Sequence, residues 1–488
     1  MTAPAAAVSS PHPFLTIVVA TDGSKALLGS LAKTDPDLVE IIEVAAPSVD
    51  DIPPAVVQTA RGEFVTFLSS RDTLRPDAVA TLRDGLTGTD CDIFYTDEFV
   101  GGEVRHKPEF SPERLRSQFY WGSFVGYRTA LLDRIGGPSD DFGGAQAYEL
   151  ALRAARAARS GIHVPGALIA VGPGERSTHP EANDSVRRAL ELHLAATGGG
   201  TVLAASTGTS DTRRPVVGEP LVSIVIPTRG DSATIRGTDR CLVVEAVRGV
   251  VEESSYSNIE IVVVADDVTP PAVIDELRAI AGSRLSLVGW SAPFSFSGKM
   301  NLGVAHAKGE FVLFLNDDVE VIAPDWIEAL LALAQRPDCG IVGALLYFED
   351  GTIQHAGHAY YGFGVTHIGI NSPASATGPG DAFLVEREVD GVTAACAMMT
   401  RSHFFEVGGF STLLPGNFND VDLCMKLAVK GYHSYVTPHA KLFHFESKSR
   451  DPKVAESEIE RAWGRWEPQL INSKYWPEEP GVIYRAQG

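Results

Sequence analysis

The sequence is short of cysteine, of cationic side chains and of long apolar runs, and each shortage excludes something. Its five cysteines, Cys91, Cys241, Cys339, Cys396 and Cys424, are scattered over 488 residues with no CxxC pair. That excludes a disulfide-stapled scaffold, and the thiols read as free and mostly buried in a reducing compartment. Lys and Arg number 41 against 62 Asp and Glu, a formal net charge of −21. Non-specific nucleic-acid binding needs cations to neutralise phosphates, so nucleic acid is excluded as a partner. A small anionic ligand is not excluded, because a local site or a metal ion can supply positive charge. No apolar run reaches the ~18 residues of a membrane span. Met1–Ser10 lacks the basic start and apolar core of a signal peptide. The expectation is a cytoplasmic protein; contact with the inner face of the membrane and homo-oligomerisation stay open.

What is present is a globular α/β pattern. An apolar fraction of 44% fills packed cores, and 488 residues suit two or three domains. Phe14–Ala20 and Leu221–Ile226 are β-branched runs of the kind buried on both faces of a parallel sheet. After the second run, strands are expected at 259–265, 285–289 and 310–315, and helices near 239–253, 271–281, 299–306 and 324–335. This alternation predicts a mostly parallel sheet flanked by helices, with ligands at the carboxyl ends of the strands. Between the two halves, 172–220 holds one helical stretch, Asp184–Ala196, and a small-residue run that reads as linker.

An internal repeat organises the chain. GEFVTFL at 62–68 matches GEFVLFL at 309–315, an offset of 247. The segment from Tyr127 to Gly137 resembles that from Met399 to Gly409 at an offset of 272, and Tyr148-Glu-Leu150 matches Val421-Asp-Leu423 at 273. Three matches in one order imply two copies of one fold.

Polar clusters fall at the expected strand ends of the second copy. Asn316-Asp317-Asp318 follows an apolar strand, and adjacent carboxylates there call for a cation such as Mg²⁺ or Mn²⁺; a helix cap is the plainer alternative. Asp420 opens a helical run and reads either as its cap or as a general base facing a cleft. Asp422 could hold a turn or an acceptor hydroxyl. His444 follows a strand, His433–Val436, and a turn at Pro438; a lone His is more often structural than a ligand. Lys448 and Arg450 could close over phosphates or lie in a solvated tail. His355, His358 and His367 lie in the stretch Tyr347–Asp390; a loop on the acceptor side is preferred there over an HxxH metal site.

The span 220–450 resembles family-2 glycosyltransferases of the GT-A fold. The pieces that carry the resemblance are VSIVIPTRG, IEIVVVADD, FSGKMNLGVAHAKGEFVLFLNDDVEV, VGGF, NDVDLCMKLAVKGY and HFESKSR, in the family's order. Residues 1–219 look like the family's two-module bacterial members, the rhamnosyltransferases and polysaccharide glycosyltransferases. The resemblance implies that Thr228, Arg229, Asp266, Lys299, Asn301 and Asp317 bind the nucleotide-sugar donor. It implies that Asp318 and His444 hold the metal, and that Asp420 is the catalytic base of an inverting transfer. Asn419 stands where the family often has an acid. The acceptor is expected to be a glycan or lipid-linked glycan of the cell surface. Two alternatives are a nucleotidyltransferase, disfavoured because 227–230 offers only one glycine, and a non-catalytic glycan-binding scaffold.

The first copy lacks the acids. Ser69, Ser70 and Arg71 fall at Asn316, Asp317 and Asp318, Ala147 at Asp420, and Val171 at His444. Arg cannot bind a metal, although Asp72 lies one residue away. The expected division is a degenerate GT-A-like module over 1–175, a helix and linker over 176–219, a catalytic module over 220–450 and a helical tail over 451–488.

Overall fold

The computed structural model describes residues 13–173, 182–362, 364–445, 454–478 and 484. The chain divides into two compact units, Met1–Thr212 and Arg213–Gly488. Among the described residues no helix is long and apolar enough to cross a membrane.

The first unit is built on strands β1 (Leu15–Thr21), β2 (Val39–Ala45), β3 (Phe64–Ser69), β4 (Thr73–Leu74), β5 (Ile93–Val100), β6 (Val125–Arg128) and β7 (Gly161–Ala170). They lie in the order β2-β1-β3-β6-β5-β7-β4. Helix α1 (Gln146–Ala157) packs over this sheet, and α2 (Ala182–Ala196) packs beside α1, burying Val186, Leu190 and Leu194 in the same core. The helix expected in a linker is therefore part of the first unit. Its apolar residues at 186, 189, 190 and 194 form one helical face, and that face needed a partner.

The second unit repeats the plan. Its main strands are β8 (Val222–Thr228), β9 (Ile259–Asp266), β10 (Leu285–Trp290), β11 (Phe311–Leu315), β12 (Val319–Val321), β13 (Cys339–Tyr347), β14 (Ile353–His355), β15 (His358–Tyr361), β16 (Gly364–His367), β17 (Cys396–Thr400) and β18 (His433–His444). The sheet order is β10-β9-β8-β11-β17-β13-β18-β12. Replacing each strand by its counterpart turns the first order into the second, with β10 added at the edge. The pairing directions agree too: β1 and β3 are parallel like β8 and β11, while β3 and β6 are antiparallel like β11 and β17.

Register fixes the repeat residue by residue. Thr73 pairs with Ala170 and Glu320 with Phe443, so the offsets of 247 and 273 meet at one rung of the ladder. Val171 then stands at His444, and Arg71 at Asp318, as the sequence comparison expects.

The two sheets also share a buried fastener. In the first unit, Thr16 Oγ1 donates to Glu40 Oε2 at 2.8 Å and accepts the Gly62 N–H at 2.8 Å. In the second, Ser223 Oγ donates to Glu260 Oε1 at 2.5 Å and accepts the Gly309 N–H at 2.7 Å. A Cβ on Gly62 would lie 2.5 Å from the Thr16 backbone nitrogen, and one on Gly309 2.6 Å from the Leu221 carbonyl oxygen. Only glycine lets the chain enter the strand so close to its neighbour.

One boundary differs from expectation. The last strand runs on to His444, through Pro438, rather than stopping at a turn. The register between β13 and β18 slips between Ala344 and Leu345, so Pro438 sits in a bulge where no ladder N–H is needed. Pro165 occupies the corresponding bulge in β7, where the register slips between Thr96 and Asp97.

Among the helices of the second unit are α3 (Leu242–Glu252), α4 (Phe296–His306), α5 (Trp326–Ala334), α6 (Asn419–Val429) and α7 (Glu456–Leu470). Trp326, Ile327, Leu330 and Leu331 of α5 are fully buried under the sheet. The expected tail is thus a helix docked on this unit: Trp466 and Leu470 of α7 pack with Val421 and Met425 of α6.

Candidate active site

A cleft of about 510 Å³ opens over the carboxyl ends of β8 and β11 and the first turn of α6. Strand ends and helix starts gather there because parallel strands release their polar residues on one side of the sheet.

On the floor of the cleft, one network joins most of the expected donor-binding residues. Thr228 Oγ1 donates to Asp317 Oδ2 at 2.7 Å. Lys299, on the first turn of α4, is 1% exposed. Its Nζ lies 2.5 Å from Asp266 Oδ1 and 3.3 Å from the Thr228 carbonyl. Arg229, half-exposed, reaches Asp266 at 3.8 Å. A buried lysine held between a carboxylate and a carbonyl is a fixed point of positive charge under the cleft. Burial, and then the charge of Asp318, push the Asp317 carboxyl up to about 7, against the Thr228 hydroxyl that stabilises its charge. Two carboxylates this close ionise together only beside a cation.

Asp318 and His444 face each other across the β12–β18 edge, with His444 Nε2 3.2 Å from Asp318 Oδ1. The tautomer follows from the other ring nitrogen, which lies 2.7 Å from Gln354 Oε1. An amide oxygen only accepts, so Nδ1 carries the proton and Nε2 presents its lone pair. That lone pair accepts from Asn316 Nδ2 at 3.0 Å and points toward a carboxylate oxygen. A lone pair and a carboxylate converging, with the far N–H held by an amide, are the donor set of a divalent cation and its outer support. The residues present therefore fit Mn²⁺ or Mg²⁺. Gln354 also donates from Nε2 to the His444 carbonyl at 3.2 Å, gripping the histidine at both ends. Sequence reading passed over Gln354 because a lone glutamine before His355 carries no motif; β14 alone brings it to His444 of β18.

Asp420 lies in the first turn of α6 and lines the cleft opposite this pair. One of its oxygens accepts the Val421 N–H at 2.8 Å. The residue before the helix, Phe418, has φ of +56°, a left-handed conformation uncommon for an aromatic residue. It is held there by its ring against Trp463, 5.3 Å between centroids, and by the loop before it. Glu458 of α7, 4% exposed, accepts from the N–H groups of Gly416 and Asn417, both at 2.9 Å. Burial opposes its charge, but these hydrogen bonds and the Asn417 amide prevail and hold its pKa below the usual glutamate range. The tail helix thus positions the turn that carries Asp420.

Three expectations need correction or fall elsewhere. Asn301 does not line the cleft: its Nδ2 donates to the Phe410 carbonyl and its Oδ1 accepts the Phe410 N–H, both at 2.9 Å. Both ends of the amide fasten a loop rather than face the cleft. Asp422 is 1% exposed and turned away from the cleft, bound to Lys426 at 2.9 Å, Arg465 at 3.0 Å and Trp466 Nε1 at 2.9 Å. It anchors α7 rather than an acceptor. Lys448 and Arg450 lie outside the described residues.

In the first unit, the equivalent positions carry no such chemistry. Arg71 pairs with Asp22 at 2.5 Å, a cation fixed in the place where the second unit has a carboxylate. Asp72 is buried, and its two oxygens accept the Ser69 N–H at 3.0 Å and the Gly172 N–H at 2.9 Å.

Comparison with known proteins gives the following likenesses. The family described as glycosyl transferase family 2 matches residues 223–405. An uncharacterized protein of Sinorhizobium fredii is 34% identical over 446 residues, covering 87% of this chain and 48% of that protein. The O-antigen biosynthesis protein RfbC of Myxococcus xanthus is 31% identical over 427 residues, covering 84% of this chain and 33% of that protein. An N-acetylglucosaminyl-diphospho-decaprenol L-rhamnosyltransferase of Mycobacterium tuberculosis is 28% identical, covering 29% of this chain and 50% of that protein. The chain therefore spans half or less of the length of these relatives. Among solved structures, a mannosyltransferase of Pyrobaculum calidifontis in complex with GDP-Man and Mn²⁺ aligns with a TM-score of 0.36 and 15% identity, covering 60% of this chain and 81% of that one. The matched segment runs from β8 to beyond β17 and holds Thr228, Asp266, Lys299 and Asp318; that segment of the second unit is similar to glycosyltransferase family 2.

Proposed function

We propose that the second unit is a metal-dependent, inverting glycosyltransferase that moves a sugar from a nucleoside-diphosphate donor to a hydroxyl of a glycan or lipid-linked acceptor. The observation that carries the reading is the convergence on one cleft of Asp420, the Asp318–His444 pair and the Lys299–Thr228–Asp317 floor. The floor is the place for the nucleoside, since Asp266 and Asp317 offer acceptors for ribose hydroxyls and Thr228 and Arg229 flank them. Asp318 and His444 would hold the cation, which supplies Lewis-acid stabilisation of charge on the leaving diphosphate. Asp420 accepts the proton of the attacking hydroxyl, a poor nucleophile without a base in reach. The anomeric carbon gains oxocarbenium character as the leaving group departs, as in glycoside hydrolysis. One displacement from the far face inverts its configuration.

The acceptor belongs to cell-surface polysaccharide synthesis in this proposal, supported by the O-antigen and rhamnosyltransferase names among the relatives. A cytoplasmic location, at the membrane face when the acceptor is lipid-linked, belongs to the same reading. The first unit is non-catalytic, because Arg71, Ala147 and Val171 replace the metal-binding and basic groups.

The test is a screen of sugar nucleotides for thermal stabilisation with and without Mn²⁺. A bound donor raises the melting temperature by mass action. Asp318→Asn should abolish the metal-dependent part. Asp420→Asn should keep it and lower the transfer rate by about 10²–10⁴-fold. No response to any sugar nucleotide would overturn the reading.

A further inference from the structure

Beside the cleft, three histidines outside the machinery above come together. His358 and His367 are direct cross-strand partners in the β15–β16 hairpin. His355 ends β14, which pairs with the central strand β13. The three rings form a propeller: centroids are 5.1, 4.8 and 5.1 Å apart, and the planes cross at 77°, 75° and 79°. One nitrogen from each ring lies within 4.8 Å of the other two. His355 and His358 are buried, and both His358 and His367 line the cleft.

Imidazoles packed only for bulk have no reason to converge on their nitrogens. Here the Nδ1 atoms of His355 and His367 are 2.9 Å apart. His358 Nδ1 is buried with no hydrogen-bond partner among the described residues.

We infer that His355, His358 and His367 form a second cation site, separate from Asp318 and His444, that takes one late first-row divalent ion of the Zn²⁺ or Co²⁺ type. Three neutral imidazoles suit such ions, whereas Mg²⁺ prefers oxygen. At a metal–nitrogen distance of about 2.0–2.1 Å tetrahedral nitrogens lie roughly 3.3 Å apart, so the 2.9 Å pair must open a little and the widest pair, within 4.8 Å, must close by about 1.5 Å. Three protein ligands leave the fourth position open, and the two cleft-lining rings place it beside the cleft. The ion would clip the β15–β16 hairpin to the sheet through β14. Two contacts must yield: His355 Nδ1 bonds His367 Nδ1 at 2.9 Å, and His355 Nε2 accepts the Thr393 N–H at 3.2 Å, so binding through Nδ1 moves the proton to Nε2. The cost is two neutral hydrogen bonds. The inference is independent of the sugar-transfer reading.

The test is cobalt substitution of the full chain. Asp318→Asn removes the other site, so its bound metal reports the histidines alone. This variant, stripped with chelator, loaded with Co²⁺ and freed of excess, should keep one equivalent per chain and show a tetrahedral visible absorption band that Zn²⁺ displaces. Adding His367→Gln should eliminate the band while circular dichroism stays that of the folded chain. Failure of Asp318→Asn to retain Co²⁺ overturns the inference, whatever the fate of the histidine variants. So does a band that survives His367→Gln. A chain that binds sugar nucleotides with Mn²⁺ yet takes no Co²⁺ at the histidines would overturn this site alone.

Discussion

At the scale of single residues, roles are assigned by what lies opposite. Asp318 and Asp422 are both buried acids, but one faces a histidine lone pair and a cleft, while the other faces an arginine, a lysine and an indole N–H. The NDD and NDVD motifs made Asp317, Asp318 and Asp420 legible in the sequence. Asn301 misled because its motif lies in α4, whose first turn reaches the cleft at Lys299; two positions on, the helix has turned to face the Phe410 loop. Gln354 is the sharpest test at this scale. Gln354→Ala removes the acceptor that fixes the His444 tautomer, and should weaken Mn²⁺ affinity about 10–100-fold, measured by calorimetry. Gln354→Glu, which keeps an acceptor for Nδ1–H, should recover most of the loss.

At the scale of elements, the tail helix α7 is the part least visible in the sequence. Its charged face hides two contacts: Glu458 to the Gly416–Asn417 turn, and Arg465 and Trp466 to Asp422. Asp422→Ala should destabilise the second unit by about 2–3 kcal/mol, since it leaves three donors without their acceptor. Denaturant unfolding measures this. The chain after α7 is tied down by Asp390, whose oxygens accept the Lys474 N–H at 2.9 Å and the Tyr475 N–H at 3.3 Å. Burial raises the Asp390 pKa from 3.8 to about 6, more than these N–H groups lower it. A carboxyl raised on folding binds its proton more tightly in the folded chain, so its contribution is full below the unfolded value and is lost as pH rises through the folded one. The melting temperature should therefore decline between about pH 4 and 6 through this group. Asp390→Asn should flatten that limb in scanning fluorimetry. Strands were easier to read than helix contacts, because a β-branched run announces a buried strand whereas a mixed-charge helix does not say which acid it will meet.

At the scale of the whole molecule, one fold occurs twice with different contents at the strand ends. The repeat was legible from three short matches, and the strand order explains why they stay in sequence: each sits at a corresponding strand or helix. What the sequence left open was Asp72, which is buried with each oxygen accepting a backbone N–H. Asp72→Ala should lower the stability of the first unit by about 1–3 kcal/mol through those two orphaned donors. Sugar transfer, assayed below the unfolding range, should keep its wild-type rate; loss of transfer by a folded variant would place working chemistry in the first unit.

The paired fasteners at Thr16–Glu40–Gly62 and Ser223–Glu260–Gly309 separate two messages that motif searches usually read as one. A hydroxyl at the start of one strand, a glutamate on its neighbour and a glycine entering the third specify architecture and nothing else. Acids at the far ends of those strands specify chemistry. A chain that keeps the first set and loses the second will look like an enzyme to any comparison of folds, and will turn nothing over.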